Sequence, residues 1–447
     1  MGSSRTVHPA RRGGVHTGVW HHGGVSATPD STVHDAPVAV PAGTPMDAYE
    51  YGLPERAIAQ EPIEPRSAAR LLIGPGLSGP GLSGPGTYGP GAYWPGASGG
   101  GPSADGPSAY GPSGPRTPSH ATMADLPSLL GPGDVLVVND TRVLAARLDL
   151  AKLTGGRAEV LLVEPLGAPD ADGVTEWAAL VRPGRRLPAG TLLVEAGEGD
   201  VPDEVIPVVE VGEPIDPDPE GPGTRKVRLL DPSVVARSGT MPLPPYIHHT
   251  LGDPDRYQTV YSADRDLVDR SAAAPTAGLH FTPDLLDACR AAGAELARVD
   301  LAIGLDTFRP VTAPTAEAHV IHTERYTVPP ETVVACAGAR RVVAVGTTAV
   351  RALESAASTG VLSGRTDLYI HGDHRFRVVD LLVTNFHLPR SSLLLLVEAF
   401  CGPIWRDLYA EALADGYRFL SFGDAMIVAR AGAKGTPAWT VPATEAR

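Results

Sequence analysis

Cysteine, aromatic residues and long apolar runs are all scarce in this chain. Its three cysteines, Cys289, Cys336 and Cys401, are far apart and lack C-x-x-C spacing, which excludes a disulfide framework and a thiolate zinc site and points to a reducing, cytoplasmic setting. A bilayer span needs about 18 or more apolar residues. The best run here, Leu393 to Val397, is closed by Glu398. The N-terminus has early arginines with no apolar segment after them, so a secretory signal is not expected. Basic excess is missing too: the formal charge of −14 disfavours nonspecific attraction to nucleic acid or to anionic membranes, although a local basic patch is compatible with it. No Walker loop, G-x-S-x-G elbow or H-E-x-x-H motif occurs, which removes the common NTPase, hydrolase and zincin classes.

Glycine and proline, by contrast, are abundant at 51 and 45 residues. Residues 1–46 lack hydrophobic period and read as a disordered tail. Residues 74–119 contain a five-residue Gly/Pro repeat and read as a flexible insert. Its GPGLSG matches G-x-G-x-x-G literally, but no helix can follow it to receive a pyrophosphate. Residues 47–148 otherwise hold mixed apolar and charged sequence, including the buried-strand pattern VLVV at 135–138. Short strand-like runs separated by Gly/Pro turns mark 149–240 as a small β-barrel, whose stretch 195–220 carries ten carboxylates and no Lys or Arg and is expected to face water. From 241 to 430 strands and helices alternate, as in an α/β domain. Thr282, Pro283 and Gly293 bracket a helix, 340–346 and 376–386 read as strands, and 431–447 reads as a flexible tail.

Three junctions before helices use small, uncharged residues: APTAGLHFT (274–282), GTTAVRALE (346–354) and TNFHLPRSS (384–392). Free amides and the helix dipole at such places favour a carboxylate or phosphate. Thr347, Thr348, Ser391 and Ser392 serve equally well as simple caps, and His280 and His387 as structural histidines. Arg351 fits either a neighbouring acid or a substrate carboxylate. His319 and His322 are three apart, but no Cys or carboxylate set at zinc-like spacing joins them, so no metal is expected.

These strings, together with MPLPPYI (241–247), RYQTVYS (256–262), VVDLLVTNFHLPRSSLLLLVEAF and YRFLSFGDAMIV, resemble the S-adenosylmethionine:tRNA ribosyltransferase-isomerase family of queuosine biosynthesis. The resemblance covers nearly all of 47–430 outside the repeat. It implies a main α/β domain built from both chain ends with an inserted small β-barrel, and a monomer. The implied reaction moves and isomerises the ribosyl part of S-adenosylmethionine onto 7-aminomethyl-7-deazaguanine at the tRNA wobble position, with no metal or separate cofactor. It implies His280, His387, Glu324 and Tyr257 as catalytic candidates. Substrate-binding candidates are Asn139, Arg142, Gln258, Pro275, Thr276, Gly278, Phe281, Thr307, Phe308, Gly346, Thr347, Thr348, Arg351, Asn385 and Ser391. Arg182, Arg185, Arg186, Arg340, Arg341, Arg365, Arg375 and Arg377 are candidates for a basic tRNA surface. The chain departs from the family pattern at Ala302, where a histidine is usual, and at Asp306, where a glycine is usual. Those departures leave open a different acceptor or a descendant that only binds.

Overall fold

The computed structural model describes residues 43–77, 117–196, 206–216, 224–304 and 310–439. The readings for 1–42, most of the Gly/Pro repeat, Asp306, Thr307, Phe308, much of the acidic stretch and 440–447 lie outside those residues. Strands β1 (Arg70–Ile73), β2 (Ser119–Thr122) and β3 (Asp134–Asn139) come first. There follow β4 (Arg147–Lys152), β5 (Arg157–Pro165), β6 (Thr175–Arg182), β7 (Thr191–Glu195), β8 (Val209–Asp216), β9 (Thr224–Leu229), α1 (Val234–Ser238) and β10 (Gly239–Thr240). The remainder is α2 (Pro283–Ala291), β11 (Glu295–Leu301), β12 (Glu324–Thr327), α3 (Pro330–Gly338), β13 (Arg341–Val345), α4 (Thr347–Thr359), β14 (Ser363–Thr366), β15 (Leu381–Asn385), α5 (Ser392–Cys401), α6 (Trp405–Ala414) and β16 (Ala425–Ala429).

Strands β4 to β9 are antiparallel neighbours in the order β4-β5-β6-β9-β8-β7, and β7 pairs back with β4 to close a six-stranded barrel. Closure follows from the alternation that the sequence shows: Trp177, Ala179 and Val181 point in from β6 while their neighbours point out. The other sheet has the order β14-β12-β11-β3-β13-β15-β16-β1-β2, with β11, β3, β13 and β15 parallel. Its central strands are buried on both faces. Val135, Val137, Val342 and Ala344 pack in one cluster with residues of α3, α4, α5 and α6, whereas Leu136, Val138, Val343 and Val345 pack in another with residues of α2. The chain leaves β3 toward β11 on one side, whereas β13, on the other side of β3, leads away to β15. Such a reversal opens a crevice at the carboxyl ends of the strands.

Helix α2 forms as its caps predict, with Thr282 Oγ1 accepting from Leu285 N–H at 3.1 Å. Residues 376–386 depart from expectation, since only 381–385 form a strand. The amides of Arg377, Val378 and Val379 donate instead to the buried Glu354 carboxylate at 2.7, 2.9 and 3.1 Å, so they are withdrawn from a ladder. Met46 and Ala438, both read as tail, are tied into the fold. Met46 is fully buried and its N–H reaches Pro314 O at 3.0 Å, while Ala438 N–H reaches Ala357 O at 2.6 Å.

Candidate active site at the strand ends

A cleft of about 460 Å³ opens between the barrel rim and the carboxyl ends of β11 and β13. The barrel contributes Val163, Glu164, Pro165, Ala178, Ile215 and Thr224. The main sheet contributes Ala302, Ile303 and Gly304 after β11, Glu324 and Arg325 on β12, and Thr347, Thr348 and Arg351 on α4. Ser392 and Leu393, at the start of α5, complete its inner wall. Four arginines line it, each beside a carboxylate: Arg351 with Glu324, Arg365 with Glu164, Arg325 with Asp269 at 2.6 Å and Arg270 with Asp264 at 4.0 Å. A narrower crevice shares Ile303, Thr347, Thr348 and Leu393 with the cleft and reaches Pro275, Thr276, Gly346, Asn385 and His387. Thr276, Asn385 and His387 also line a further crevice, with Ser391. The three breaker-rich junctions therefore converge, since each ends at one end of the same sheet.

Helix α4 starts abruptly because Gly346 adopts φ 87°, a left-handed value that side chains resist, and turns the chain from β13 straight into the helix. Gly346 is itself the N-cap, so Thr347 and Thr348 are not caps. The first intrahelical bond is Val350 N–H to Gly346 O, leaving the amides of residues 347–349 ahead of it. Thr348 Oγ1 is buried and lacks a hydrogen-bond partner among the described residues. At α5 the capping expectation holds: Ser391 Oγ accepts from Leu394 N–H at 3.2 Å and donates to Leu388 O at 2.7 Å. Ser391 is thereby used, whereas the amides of Ser392 and Leu393 precede the helical ladder.

Glu324 carries the most distinctive chemistry of the cleft. Its Oε1 accepts from Gly304 N–H at 2.9 Å, and its Oε2 pairs with Arg351 Nη1. Arg351 is itself nearly spent: Nε donates to Leu368 O at 2.9 Å and Nη2 to His322 O and Thr366 O at 3.1 and 3.2 Å. The expectation that Arg351 receives a substrate carboxylate or a phosphate is corrected accordingly, because its donors are already engaged by protein acceptors. At the mouth, Arg365 on β14 pairs with Glu164 on β5, bridging sheet and barrel, and that carboxylate is the largest influence raising its pKa.

Several candidates sit elsewhere. His280 is buried, with Nδ1 3.0 Å from Ala277 O and Nε2 2.8 Å from Gly423 O, and lines a separate small crevice with Arg66 and Arg256. Burial is the first cause lowering its pKa. Tyr257 is fully buried, edge-on to Phe422 at 5.9 Å, and Phe281 lies in the core against α2. Gln258 grips both polar groups of the Val143 backbone, at 3.0 and 2.8 Å. Asn139 ties β3 to β11 through the N–H and C=O of Leu301, at 3.1 and 3.0 Å, and Arg142 reaches Ser262 Oγ at 3.4 Å. Gly278 lies under Tyr261, where an added Cβ would overlap the phenol oxygen. None of these seven lines the cleft, so they are corrected from site to scaffold: packing or hydrogen bonds within the chain account for their placement. Thr276 Oγ1 donates to Asn385 Oδ1 at 3.0 Å, and Asn385 Nδ2 to Leu420 O at 3.1 Å, which leaves these two as crevice wall. His387 Nε2 lies 2.9 Å from Thr384 Oγ1, and burial pushes its pKa down to about 3.

The arginines proposed as one basic surface disperse. Arg340 and Arg341 pair with the buried Asp134 at the amino end of β3, opposite the cleft, and Arg182 faces Glu159 on the barrel. Sequence reasoning missed Arg270, Arg325, His319, His322 and Tyr369 as cleft residues. Among the described residues no group of three His, Cys, Asp or Glu side chains forms a metal site, and no helix is long and apolar enough to cross a membrane.

Comparison with known proteins shows the family. The model of a family described as queuosine biosynthesis protein matches residues 113–428. An S-adenosylmethionine:tRNA ribosyltransferase-isomerase of Synechococcus elongatus is 42% identical over 405 residues, covering 87% of this chain and 97% of the relative. One of Rubrobacter xylanophilus is 42% identical over 384 residues, covering 86% and 97%. A crystal structure of S-adenosylmethionine tRNA ribosyltransferase from Thermotoga maritima is 31% identical, covers 85% of this chain and 99% of its own, and superposes with a TM-score of 0.41. With most of its length matched by that family model and by full-length relatives, the chain belongs to the queuosine biosynthesis protein family.

Proposed function

We propose that this chain is an S-adenosylmethionine:tRNA ribosyltransferase-isomerase, acting on 7-aminomethyl-7-deazaguanine at the tRNA wobble position and releasing adenine and methionine. The observation that carries the reading is the single cleft on which helix N-termini, arginines and one clamped carboxylate converge. The amides ahead of α4 and α5 and the orphan Thr348 hydroxyl suit the methionine carboxylate of the donor. Arg270, Arg325 and Arg365 are 30%, 32% and 48% exposed, against 11% for Arg351, so tRNA phosphates at the mouth can exchange with their carboxylate partners.

The sulfonium makes the neighbouring ribose C5′ hydrogens acidic, so a fixed base in a water-poor cleft starts the loss of adenine. In this reading Glu324 is that base. His387 lines the inner crevice rather than the cleft, with Nε2 2.9 Å from Thr384 Oγ1, and is placed less directly against the donor. The acceptor's own amine is the nucleophile, so no activated Ser or Cys is required, and S-adenosylmethionine is donor substrate rather than cofactor. A divergent acceptor is the second reading, favoured by Ala302, whose methyl group lines the cleft where the family pattern has an imidazole.

Incubation with S-adenosylmethionine, with and without tRNA bearing the aminomethyl-deazaguanine, tests both. Adenine released only with that tRNA is the expected result. Release driven by another acceptor moves the assignment to the second reading, and tRNA binding without release removes the enzyme.

A further inference from the structure

The carboxylate of Glu324 is held by an arginine that is held in turn by the chain. Glu324 lies opposite Thr366 in the β12–β14 ribbon, and α4 packs against that ribbon through two residues one turn apart. Ser355 Oγ lies 2.6 Å from Thr366 Oγ1, while Arg351 Nη2 donates to Thr366 O at 3.2 Å. With Leu368 O and His322 O as further acceptors, the guanidinium plane is fixed on three main-chain carbonyls before it meets any acid. Its remaining arm points at Glu324 Oε2, and Gly304 N–H holds Oε1 from the other side. Both side chains are about nine-tenths buried, at 11% and 8% exposed, so neither is free to swing into water.

We infer that Arg351 is a positioning residue that acts through Glu324, setting the carboxylate's direction, and that it does not bind substrate itself. The inference rests on the reaction proposed above. A carboxylate misplaced by about 1 Å loses much of its advantage as a base, which is what a fixed guanidinium prevents. An ammonium supplies the charge without the planar fork, so lysine is a partial substitute only.

The test is steady-state adenine release with the cognate tRNA, alongside calorimetric binding of S-adenosylmethionine, for Glu324→Gln, Arg351→Lys, Arg351→Met and the Glu324→Gln/Arg351→Met double variant. Glu324→Gln is expected to lower kcat by about 100-fold or more. Arg351→Met is expected to lower kcat by about 10- to 100-fold with S-adenosylmethionine affinity within about twofold of wild type, and Arg351→Lys to recover part of that loss. In the double variant the Arg351 change should cost nothing beyond Glu324→Gln, because its only route to the chemistry is already gone. That variant also leaves no lone buried charge, so it remains informative where Arg351→Met folds poorly. Weakened S-adenosylmethionine binding at unchanged kcat, or losses that multiply in the double variant, overturn the inference while leaving the reaction standing. Absence of adenine release by the wild-type chain overturns both.

Discussion

Gly278, in the middle of APTAGLHFT, offers a sharp test of whether that loop is ligand wall or packing. A Cβ added there would overlap Tyr261 Oη and stand 2.9 Å from Thr259 Cγ2 and 3.0 Å from Tyr261 Cζ. Tyr261 is 5% exposed and meets Phe281 edge-on at 6.3 Å, so its ring must retreat into a filled core. Such overpacking costs about 1–3 kcal/mol, against which the stiffer unfolded chain of alanine returns about 0.4–1 kcal/mol. Gly278→Ala should therefore lose about 1–2 kcal/mol in urea unfolding followed by fluorescence. The Tyr261 hydroxyl has no partner among the described residues, so Tyr261→Phe alone should be close to neutral and should remove the worst overlap. In the double variant the two changes should couple favourably by about 1 kcal/mol. If Gly278→Ala keeps full stability but weakens S-adenosylmethionine binding, the loop is ligand wall and the packing argument is wrong.

Asp134, fully buried between Arg340 and Arg341, should cost about 3 kcal/mol or more when changed to Ala, measured by the same unfolding, because two guanidinium groups lose their anion. Arg365→Gln removes a half-exposed ion pair with Glu164, so stability should change by less than about 1 kcal/mol while KM for tRNA rises; a large stability loss with unchanged KM would contradict the phosphate role. The pKa of His387 is depressed to about 3 in the folded chain, so the unfolded state binds more protons below about pH 6.5 and stability falls from there toward pH 3. His280 and His374 act in the same direction. His387→Gln should flatten that acid limb by an amount on the order of a few kcal/mol, and an unchanged limb in pH-dependent unfolding would refute the assignment.

Local pattern determined a good deal of this protein without help from the fold. Alternating residues such as Trp177, Ala179 and Val181 specify strands with one buried side, Thr282 and Ser391 announce helix starts by their own hydroxyls, and the long family strings identify the relatives. These signals are short in range, so they survive in one dimension. What only the tertiary structure decided is the assignment of similar residues to dissimilar work. His280 and His387 sit in kindred loops, yet one is clasped by Gly423, 143 residues away, and the other lines the inner crevice. Arg351 looked free to take a ligand until carbonyls of β14 and of the chain before β12 filled its donors. Burial and pairing are properties of groups brought together across hundreds of residues, and no local period encodes which partner arrives.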